Sequence, residues 1–168
     1  DIAIKASQTG HLVLSTLHTN DAVGALVRLR NMGVAAYNLT ASVSLISAQR
    51  LIRRLCLHCR KPIHVSQQAL GKLGFQAAIK DLTFEPAFFN PQGCSQCHKG
   101  YWGRVGIFEV MPMSAGLRQL VLQDASHAQL AAQAQKEGVQ SLRHAGLLQA
   151  AMGITSLSEV LSQTEYTA

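Results

Sequence analysis

Near the start of the chain, an apolar run is followed by a helical pattern with a capping signal before it. Residues His11–Thr19 read HLVLSTLHT, rich in Leu, Val and Thr and without polar alternation. This pattern is typical of a strand buried on both faces of a parallel sheet. The following TND offers side-chain oxygens that cap a helix, and Gly33 supplies a stop signal. The apolar stripe of that predicted helix consists of Val23, Leu26, Val27 and Met32.

A second pattern predicts a helix from about Asn38 to Leu55. Its inward positions, at helical spacing, are Leu39, Val43, Ile46 and Leu51. Arg50, Arg53 and Arg54 fall at i, i+3 and i+4 and would share one basic face of this helix. Two interpretations stay open for that face, a contact with an anion or a neighbouring subunit, and a solvated helix surface. The first third of the chain is therefore predicted to be α/β.

The pattern changes after Leu55. Prolines, glycines and cysteines interrupt short apolar pieces up to about Arg104, which favours a small loop-rich subdomain. Residues Gly103–Met113, GRVGIFEVMPM, then predict a strand. The remainder is rich in Ala, Leu and Gln. Serines at the start of several segments and glycines at the end of two of them, Gly138 and Gly153, predict a set of short helices. The predicted division is therefore 1–55, 56–104 and 105–168.

The four cysteines form two C-x₂-C pairs separated by 34 residues: Cys56, Cys59, Cys94 and Cys97. Two such pairs supply the four sulfurs of a closed, tetrahedral structural zinc site. Disulfides within the pairs would close tiny loops and need an oxidising compartment, and a redox pair needs only one C-x-x-C. An iron–sulfur cluster remains an alternative. His58, His64 and His98 lie nearby in the sequence and are interpreted as surface residues.

His11 and His18 bracket the predicted strand. Seven residues apart, they would be about 23 Å from each other on a straight strand and on opposite faces, so they do not share a metal ion. His18 stands at the carboxyl end of the strand, the edge where open α/β sheets bind ligands. With Thr19 and Asn20 it is placed to meet a phosphate, and the alternative is a hydrogen-bonded structural histidine.

Composition narrows these readings. Of the 168 residues, 48% are hydrophobic and 14% charged, which indicates a globular chain, and no apolar run approaches the ~20 residues that span a bilayer. The net charge of +6 favours anionic partners or a mildly basic surface, while the aromatic content of 5% weighs against base stacking. No signal peptide opens the chain, and its first residues predict a start inside a domain.

Several catalytic motifs are missing from this sequence. The only Gly-Lys candidate for a phosphate loop, SQQALGKLG, has Ser66 where the first glycine belongs and Leu73 after the lysine, so it does not fit G-x-x-x-x-G-K-[ST]. HExxH and G-x-S-x-G are also missing. By itself the sequence contains no recognisable catalytic constellation.

Four stretches together carry a family resemblance: TGHLVLSTLHTNDA, SAQRLIRRLCLHC, GCSQCHKGYWGRVGIFEV and LRHAGLLQAAMGITSLSEV. In this order they resemble the C-terminal portion of the hexameric secretion ATPases, the motors of type IV pilus assembly and type II secretion. The first stretch is similar to the family's His box, and the cysteines are similar to the tetracysteine zinc site of its assembly motors. The loop containing LGKLGF and the ending look more like a pilus-assembly than a type II secretion ATPase.

The resemblance implies a RecA-like P-loop ATPase core with an inserted zinc-binding subdomain and a C-terminal helical bundle. It implies a homo-hexamer that is peripheral to the membrane, at the cytoplasmic face of the bacterial inner membrane. The implied partner is an inner-membrane platform protein that the hexamer drives, and no nucleic-acid partner is expected. His11 and His18 would be the His-box residues, with His18 near the γ-phosphate. Arg50, Arg53 and Arg54 match the family's QRLxRRLC segment, where a nucleotide or subunit contact is expected.

The family's Walker A loop, Asp box and Walker B segment lie upstream of the His box. The chain is therefore expected neither to bind ATP tightly nor to hydrolyse it, and ATP and Mg²⁺ are expected only in the full-length parent. Two competing hypotheses are an autonomous zinc-dependent nucleic-acid-binding module, whose affinity would depend on salt, and a scaffold whose Ala- and Leu-rich helices bind a partner.

Overall fold

The computed structural model describes residues 2–75 and 83–164. The chain divides into two compact units, one comprising Asp1–Ala48 and Glu109–Ser141, the other Gln49–Phe108 and Leu142–Ala168. We call them the first unit and the second unit. They cut across the predicted segments 1–55, 56–104 and 105–168, whose standing as domains remains a prediction, and residues 76–82 of the predicted loop-rich subdomain lie outside the described residues.

Helices and strands are mixed, as predicted. In chain order the elements are α1 (Ile2–Gln8), α2 (Ala22–Asn31), α3 (Ala36–Ser42), β1 (Leu45–Leu55), β2 (Lys61–Ile63), α4 (Gln67–Lys72), β3 (Phe88–Asn90), β4 (Tyr101–Pro112), α5 (Ala115–Leu122), α6 (His127–Lys136), α7 (Leu142–Ala151) and α8 (Leu157–Gln163). β1 pairs with β4 in one two-stranded sheet, and β2 pairs with β3 in another. Within the described ranges, every helix is too short or too polar to cross a bilayer.

The first unit is built around α2, which begins where the sequence predicted. Asp21 is its N-cap and accepts a hydrogen bond from the Gly24 amide, and Gly33 follows the helix with a φ of 86°. Four helices of this unit contribute buried side chains, which include Val23, Leu26, Leu39, Leu117, Val121 and Leu130. Met32 was predicted to lie on the apolar stripe, but it is 63% exposed because it lies beyond the last residue of α2.

The prediction of a buried strand at His11–Thr19 is wrong for this structure. The segment belongs to none of the strands of the described residues, and Leu12 and Leu14 are each 87% exposed. A strand is stable only when its backbone N–H and C=O groups pair with a neighbour, and no such neighbour lies beside this segment in the described part of the chain. The apolar pattern shows that these side chains are suited to burial, but it does not supply the neighbouring strand that would bury them.

The prediction of a helix from Asn38 to Leu55 is also wrong over most of its length. α3 ends at Ser42, and the rest is the strand β1. Leu39 is buried as expected, whereas Leu51 is 60% exposed. The apolar positions of LISAQRLIRRL suit a helix and a strand almost equally, and pairing with β4 decides the outcome because tertiary context overrides local propensity.

The basic helix face predicted from Arg50, Arg53 and Arg54 therefore does not form. Side chains alternate across a strand, so Arg53 points to the opposite face of β1 from Arg50 and Arg54. Arg50 is half-buried and Arg54 is exposed.

Other sequence predictions are confirmed. The strand predicted at Gly103–Met113 is β4, and serines cap three of the C-terminal helices through their side-chain oxygens: Ser114, Ser126 and Ser156. Gly138 and Gly153 follow helices with φ values of 87° and 70°. These local signals agree with the fold because each one is satisfied within a few residues of chain.

The second unit places a small antiparallel sheet beside two helices. β2 and β3 pair with Pro62 opposite Phe89, and α7 and α8 pack on β3 and on each other. The two helices approach closely at Gly146, where a Cβ would lie 2.8 Å from Cγ1 of Val160. Buried side chains of this unit include Ile52, Leu55, Phe75, Ile107, Leu147 and Val160.

Candidate metal centre

The four cysteines converge in the second unit, as their spacing predicted. Their Sγ atoms all lie within 4.8 Å of one another, with separations of 3.9 Å for Cys56–Cys94, 3.7 Å for Cys59–Cys97 and 3.6 Å for Cys94–Cys97. Four sulfurs at the corners of a tetrahedron, each about 2.3 Å from a central zinc ion, would be about 3.8 Å apart. The cluster therefore fits a metal ion, and the separations are far from the ~2.05 Å of a disulfide.

The first knuckle, Cys56–Cys59, is a tight turn that begins directly after β1. The amides of Cys59 and Arg60 both donate to the Cys56 carbonyl, at 3.4 and 3.0 Å. This turn directs the two sulfurs to the same side of the backbone. Cys56 is 3% exposed because it continues the buried end of β1, and the first ligand is thereby fixed by a strand.

The second knuckle, Cys94–Cys97, leads into a reverse turn that starts β4. His98 and Tyr101 exchange backbone hydrogen bonds of 3.1 and 3.0 Å, and the two residues between them, Lys99 and Gly100, have φ values of 49° and 86°. Positive φ at both central positions defines a type I′ turn. The reversal brings the second pair of sulfurs back toward the first.

Gly100 joins the two knuckles. Its carbonyl accepts a 2.9 Å hydrogen bond from the Cys56 amide. A Cβ at this position would lie 2.5 Å from Cβ of Pro91 and 2.8 Å from the Gln92 nitrogen. Both the positive φ and the lack of space require glycine here.

Nearby amides and thiols perturb the cysteine pKa values in opposite directions. Desolvation raises the pKa of Cys97, but the Cys94 amide, which donates to its sulfur at 3.3 Å, and the neighbouring thiol groups outweigh it and lower the pKa to about 7. The Gln96 amide lowers the pKa of Cys94, but desolvation and the three other thiols raise it to about 11. Thiols this close together share protons, because several neighbouring thiolates would repel one another. A bound cation stabilises all four thiolates and so replaces these protons.

The histidines near the cysteines lie on the surface, as interpreted from the sequence. His58, His64 and His98 are exposed, and within residues 2–75 and 83–164 the cluster able to hold a metal consists of the four cysteines. The donor set is therefore all sulfur, which suits zinc or an iron–sulfur cluster more than a hard cation.

Arg53 forms an ion pair with the buried carboxylate of Glu159 that the sequence did not predict. Its Nε donates to Oε2 of Glu159 at 2.9 Å, its backbone amide donates to Oε1 at 3.0 Å, and its guanidinium lies 4.1 Å above the Tyr101 ring. Burial raises the pKa of Glu159, but the hydrogen bonds and charge of Arg53 outweigh it and hold the pKa below its ordinary value.

The signal available in the sequence was Ser156-x-x-Glu159, a capping-box pattern. Ser156 does cap α8, but the glutamate turns away from the cap and binds Arg53 instead. Glu159 is 2% exposed, so its partner is visible only after the chain has folded.

The predicted His-box residues lie on an exposed segment between α1 and α2 that is neither helix nor strand. His18 is exposed, and so is His11, whose Nδ1 lies 3.0 Å from Oγ1 of Thr9. The sequence also gave no sign that Glu109 of β4 supports the helix that follows this segment: its buried carboxylate accepts a 3.0 Å hydrogen bond from the Ala22 amide at the start of α2.

Residues 1–162 match the family described as Type II/IV secretion system protein, and the chain belongs to this family. It is 51% identical over 160 residues to a type IV pilus assembly ATPase PilB of Pseudomonas aeruginosa and 49% identical over 162 residues to one of Acinetobacter baylyi. Each alignment covers 95% of the chain and 28% of the relative.

A further relative is the type II secretion system protein E of Pseudomonas aeruginosa. It is 38% identical over 165 residues, which are 98% of this chain and 32% of that protein. The chain therefore spans about a third or less of the length of these curated relatives, and its four clustered cysteines lie within the matched region.

Proposed function

We propose that the chain is part of a hexameric ATPase that powers type IV pilus assembly. The observation that carries this proposal is a difference in identity between two relatives from one organism, Pseudomonas aeruginosa: 51% to its pilus assembly ATPase and 38% to its type II secretion protein E. The type II secretion ATPase of the same family is the second candidate, because that relative matches 98% of the chain.

In the proposed full-length protein, His11–Thr19 forms a strand of a RecA-like core. Its exposed leucines support this proposal because they are suited to burial against further strands. His18 would then stand at a sheet edge as the residue that senses the γ-phosphate, with His11 at the other end of the strand. Arg50 and Arg54 remain proposed nucleotide or subunit contacts, whereas for Arg53 that proposal must account for its ion pair with Glu159.

We propose zinc as the metal of the tetracysteine cluster. The four-sulfur donor set and the separations of 3.6–3.9 Å support a closed tetrahedral site in which no position is left for a substrate. Zinc bound there would hold the two knuckles together and would do no hydrolysis. ATP and Mg²⁺ would be bound by other parts of the full-length protein, and this chain alone would be inactive.

The proposed partner is an inner-membrane platform protein, and the proposed location is the cytoplasmic face of the bacterial inner membrane. The similarity to pilus assembly ATPases supports this proposal, because a pilus must be extended across a membrane by an ATPase on one side of it. The hexamer would bind the membrane peripherally through that protein.

A domain exchange separates the two candidate functions. These 168 residues replace the matching segment of the Pseudomonas aeruginosa pilus assembly ATPase in one strain and of the type II secretion protein E in another. We expect surface pili to be restored in the first and protein secretion to stay defective in the second. The matched control carries the same exchange with Cys94→Ser and Cys97→Ser, which should abolish piliation. Restored secretion without pili, or stable hybrids that support neither process, would contradict the proposal.

A further inference from the structure

The last residue of α7 and the connection to α8, residues 151–156, form hydrogen bonds with several residues that lie near the cysteines in the sequence. We call it the 151–156 turn. Before the first knuckle, the Leu55 amide donates to the Ile154 carbonyl at 2.8 Å, and the Arg53 carbonyl accepts from Oγ1 of Thr155 at 2.8 Å. The turn thus covers the last residues of β1 immediately before Cys56.

Residues after the cysteines bind the same turn. Directly after Cys59, Nη1 of Arg60 donates to the Gly153 carbonyl at 2.5 Å. Four residues after Cys97, the Tyr101 hydroxyl is 2.7 Å from Oγ of Ser156. A further hydrogen bond of 2.8 Å runs from the Ala87 amide to the Ala151 carbonyl. Contacts from both knuckles therefore meet on one short connection.

Among these residues, Arg60 contacts both the first knuckle and the 151–156 turn. Its backbone amide donates to the Cys56 carbonyl, which closes the knuckle, and its guanidinium lies 4.2 Å above the Phe89 ring while binding Gly153. A cation at the carboxyl end of a helix binds its free carbonyls and is favoured by the helix dipole. Arg60 plays that part for α7.

The contact leaves no room for variation at Gly153. A Cβ there would lie 2.7 Å from Cε2 of Phe89 and 3.0 Å from Nη1 of Arg60. The turn, the ring and the guanidinium therefore form one packed group, whose geometry depends on where the backbone of Arg60 is held.

We propose that Arg60 couples metal loading of the tetracysteine cluster to the seating of the 151–156 turn, and through it to α7 and α8. Metal bound to Cys56 and Cys59 fixes the knuckle and hence the Arg60 backbone. Without metal, the knuckle is free to open, and the guanidinium loses the position from which it binds Gly153 and Phe89. This inference rests on the proposed metal centre and extends it to the C-terminal helices.

Thermodynamic linkage makes the coupling reciprocal. If metal binding favours the seated turn, the seated turn must raise the metal affinity by the same factor. A residue that supports the metal-free and the metal-bound chain equally would lower stability without changing metal affinity. Zinc affinity therefore distinguishes a coupling residue from a merely structural one.

The first measurement is amide hydrogen exchange of this chain, loaded with one equivalent of Zn²⁺ or stripped by a chelator under reducing conditions. We expect stripping to accelerate exchange at least tenfold in residues 142–164 as well as in the knuckles, since local opening sets exchange rates. α5 and α6 belong to the first unit and serve as the internal control, with unchanged exchange. Protection of residues 142–164 that does not depend on zinc would overturn the proposal.

The second measurement compares Arg60→Gln with Lys61→Gln, which removes a positive charge from the adjacent, exposed residue. Zinc per chain is determined first, by elemental analysis. We expect both variants to bind one zinc ion, and only Arg60→Gln to exchange faster in residues 151–160 and to bind zinc about tenfold more weakly in competition with a chromophoric chelator, since a charged hydrogen bond is lost.

The outcomes separate failure of the coupling from failure of the metal site. Zinc-free wild-type chain would contradict the metal centre itself. One zinc per chain, with equal zinc affinity and equal exchange in the two variants, would leave the metal centre standing and overturn the role of Arg60.

Discussion

The predicted His-box segment, His11–Thr19, and the cysteine knuckles are the two most distinctive stretches of the sequence, yet only the knuckles find their partners among the described residues. Leu12 and Leu14 of the first are 87% exposed, whereas the four sulfurs of the second lie within 4.8 Å of one another. The cysteines are one another's partners. A strand needs a neighbour with which its backbone groups can pair, and the described chain supplies none for His11–Thr19.

The contrast shows that a motif can contain chemically important residues without containing the neighbouring structure that those residues need. The knuckles contain all four ligands and the turns that direct them, so their chemistry can be tested on this chain. The His-box segment contains two histidines but no surface against which to fold, so its chemistry can be tested only in the full-length protein.

The largest effect is expected from removing two ligands. Cys94→Ser combined with Cys97→Ser should reduce zinc from one ion per chain to nearly none and unfold the knuckles, since structural zinc sites contribute about 10 kcal/mol of apparent binding free energy. Elemental analysis and hydrogen exchange of residues 56–63 and 88–101 measure this. Ser95→Ala, between the two cysteines and exposed, is the control. An unchanged zinc content in the double variant would contradict the four-cysteine site.

The second-largest effect is expected from substituting Gly100, the glycine that joins the two knuckles. Gly100→Ala combines a positive φ with a clash against Pro91 and should destabilise the chain by about 3 kcal/mol. Gly103→Ala is a matched control, because Gly103 has a φ of 76° but no atom within 4 Å of the added Cβ, so about 1 kcal/mol is expected. Urea denaturation measures both. Equal losses in the two variants would show that the space around Gly100 does not matter.

A smaller, pH-dependent effect is expected at Glu159. Because Arg53 holds its folded-state pKa below the unfolded value, the pair stabilises the chain above the unfolded pKa, and this contribution is lost as the pH falls through the folded pKa. Glu159→Gln should therefore cost about 2 kcal/mol at neutral pH and almost nothing in strong acid. Urea midpoints from pH 7 to pH 3 test this, and a loss of stability that is the same at all pH values would rule out the ion pair as its cause.

The smallest effect on stability is expected at the exposed leucines of His11–Thr19, which have no strand beside them in the described chain. Leu12→Ser with Leu14→Ser should change the free energy of unfolding of this chain by less than about 0.5 kcal/mol, as for other surface substitutions. Leu26→Ala, at a fully buried leucine, should cost about 3 kcal/mol. In the full-length protein the two serines should abolish piliation. A loss above about 1 kcal/mol in this chain would mean that His11–Thr19 packs within it.

Much of the local structure was predictable from the residues themselves. The start of α2 at Asp21, the serine caps and the helix stops at glycine depend on contacts within a few residues, and they were predicted correctly. β1 was predicted as part of a helix because Leu39, Val43, Ile46 and Leu51 recur at helical spacing. In the structure the buried residues of this strand are Ala48, Ile52 and Leu55 instead. Ion pairs such as Arg53–Glu159 join residues 106 positions apart, a distance over which no local pattern carries information.

By itself, the sequence determined the four cysteines of the candidate metal centre, the helix ends and the family, because these depend on residue types at fixed short spacings. Only the tertiary structure decided that Leu45–Leu55 is a strand, that Arg53 binds Glu159, and that Arg60 reaches the turn between α7 and α8. The physical reason is that strand pairing and ion pairing are formed between distant parts of the chain. Their free energy belongs to the pair of segments, and neither segment encodes it alone.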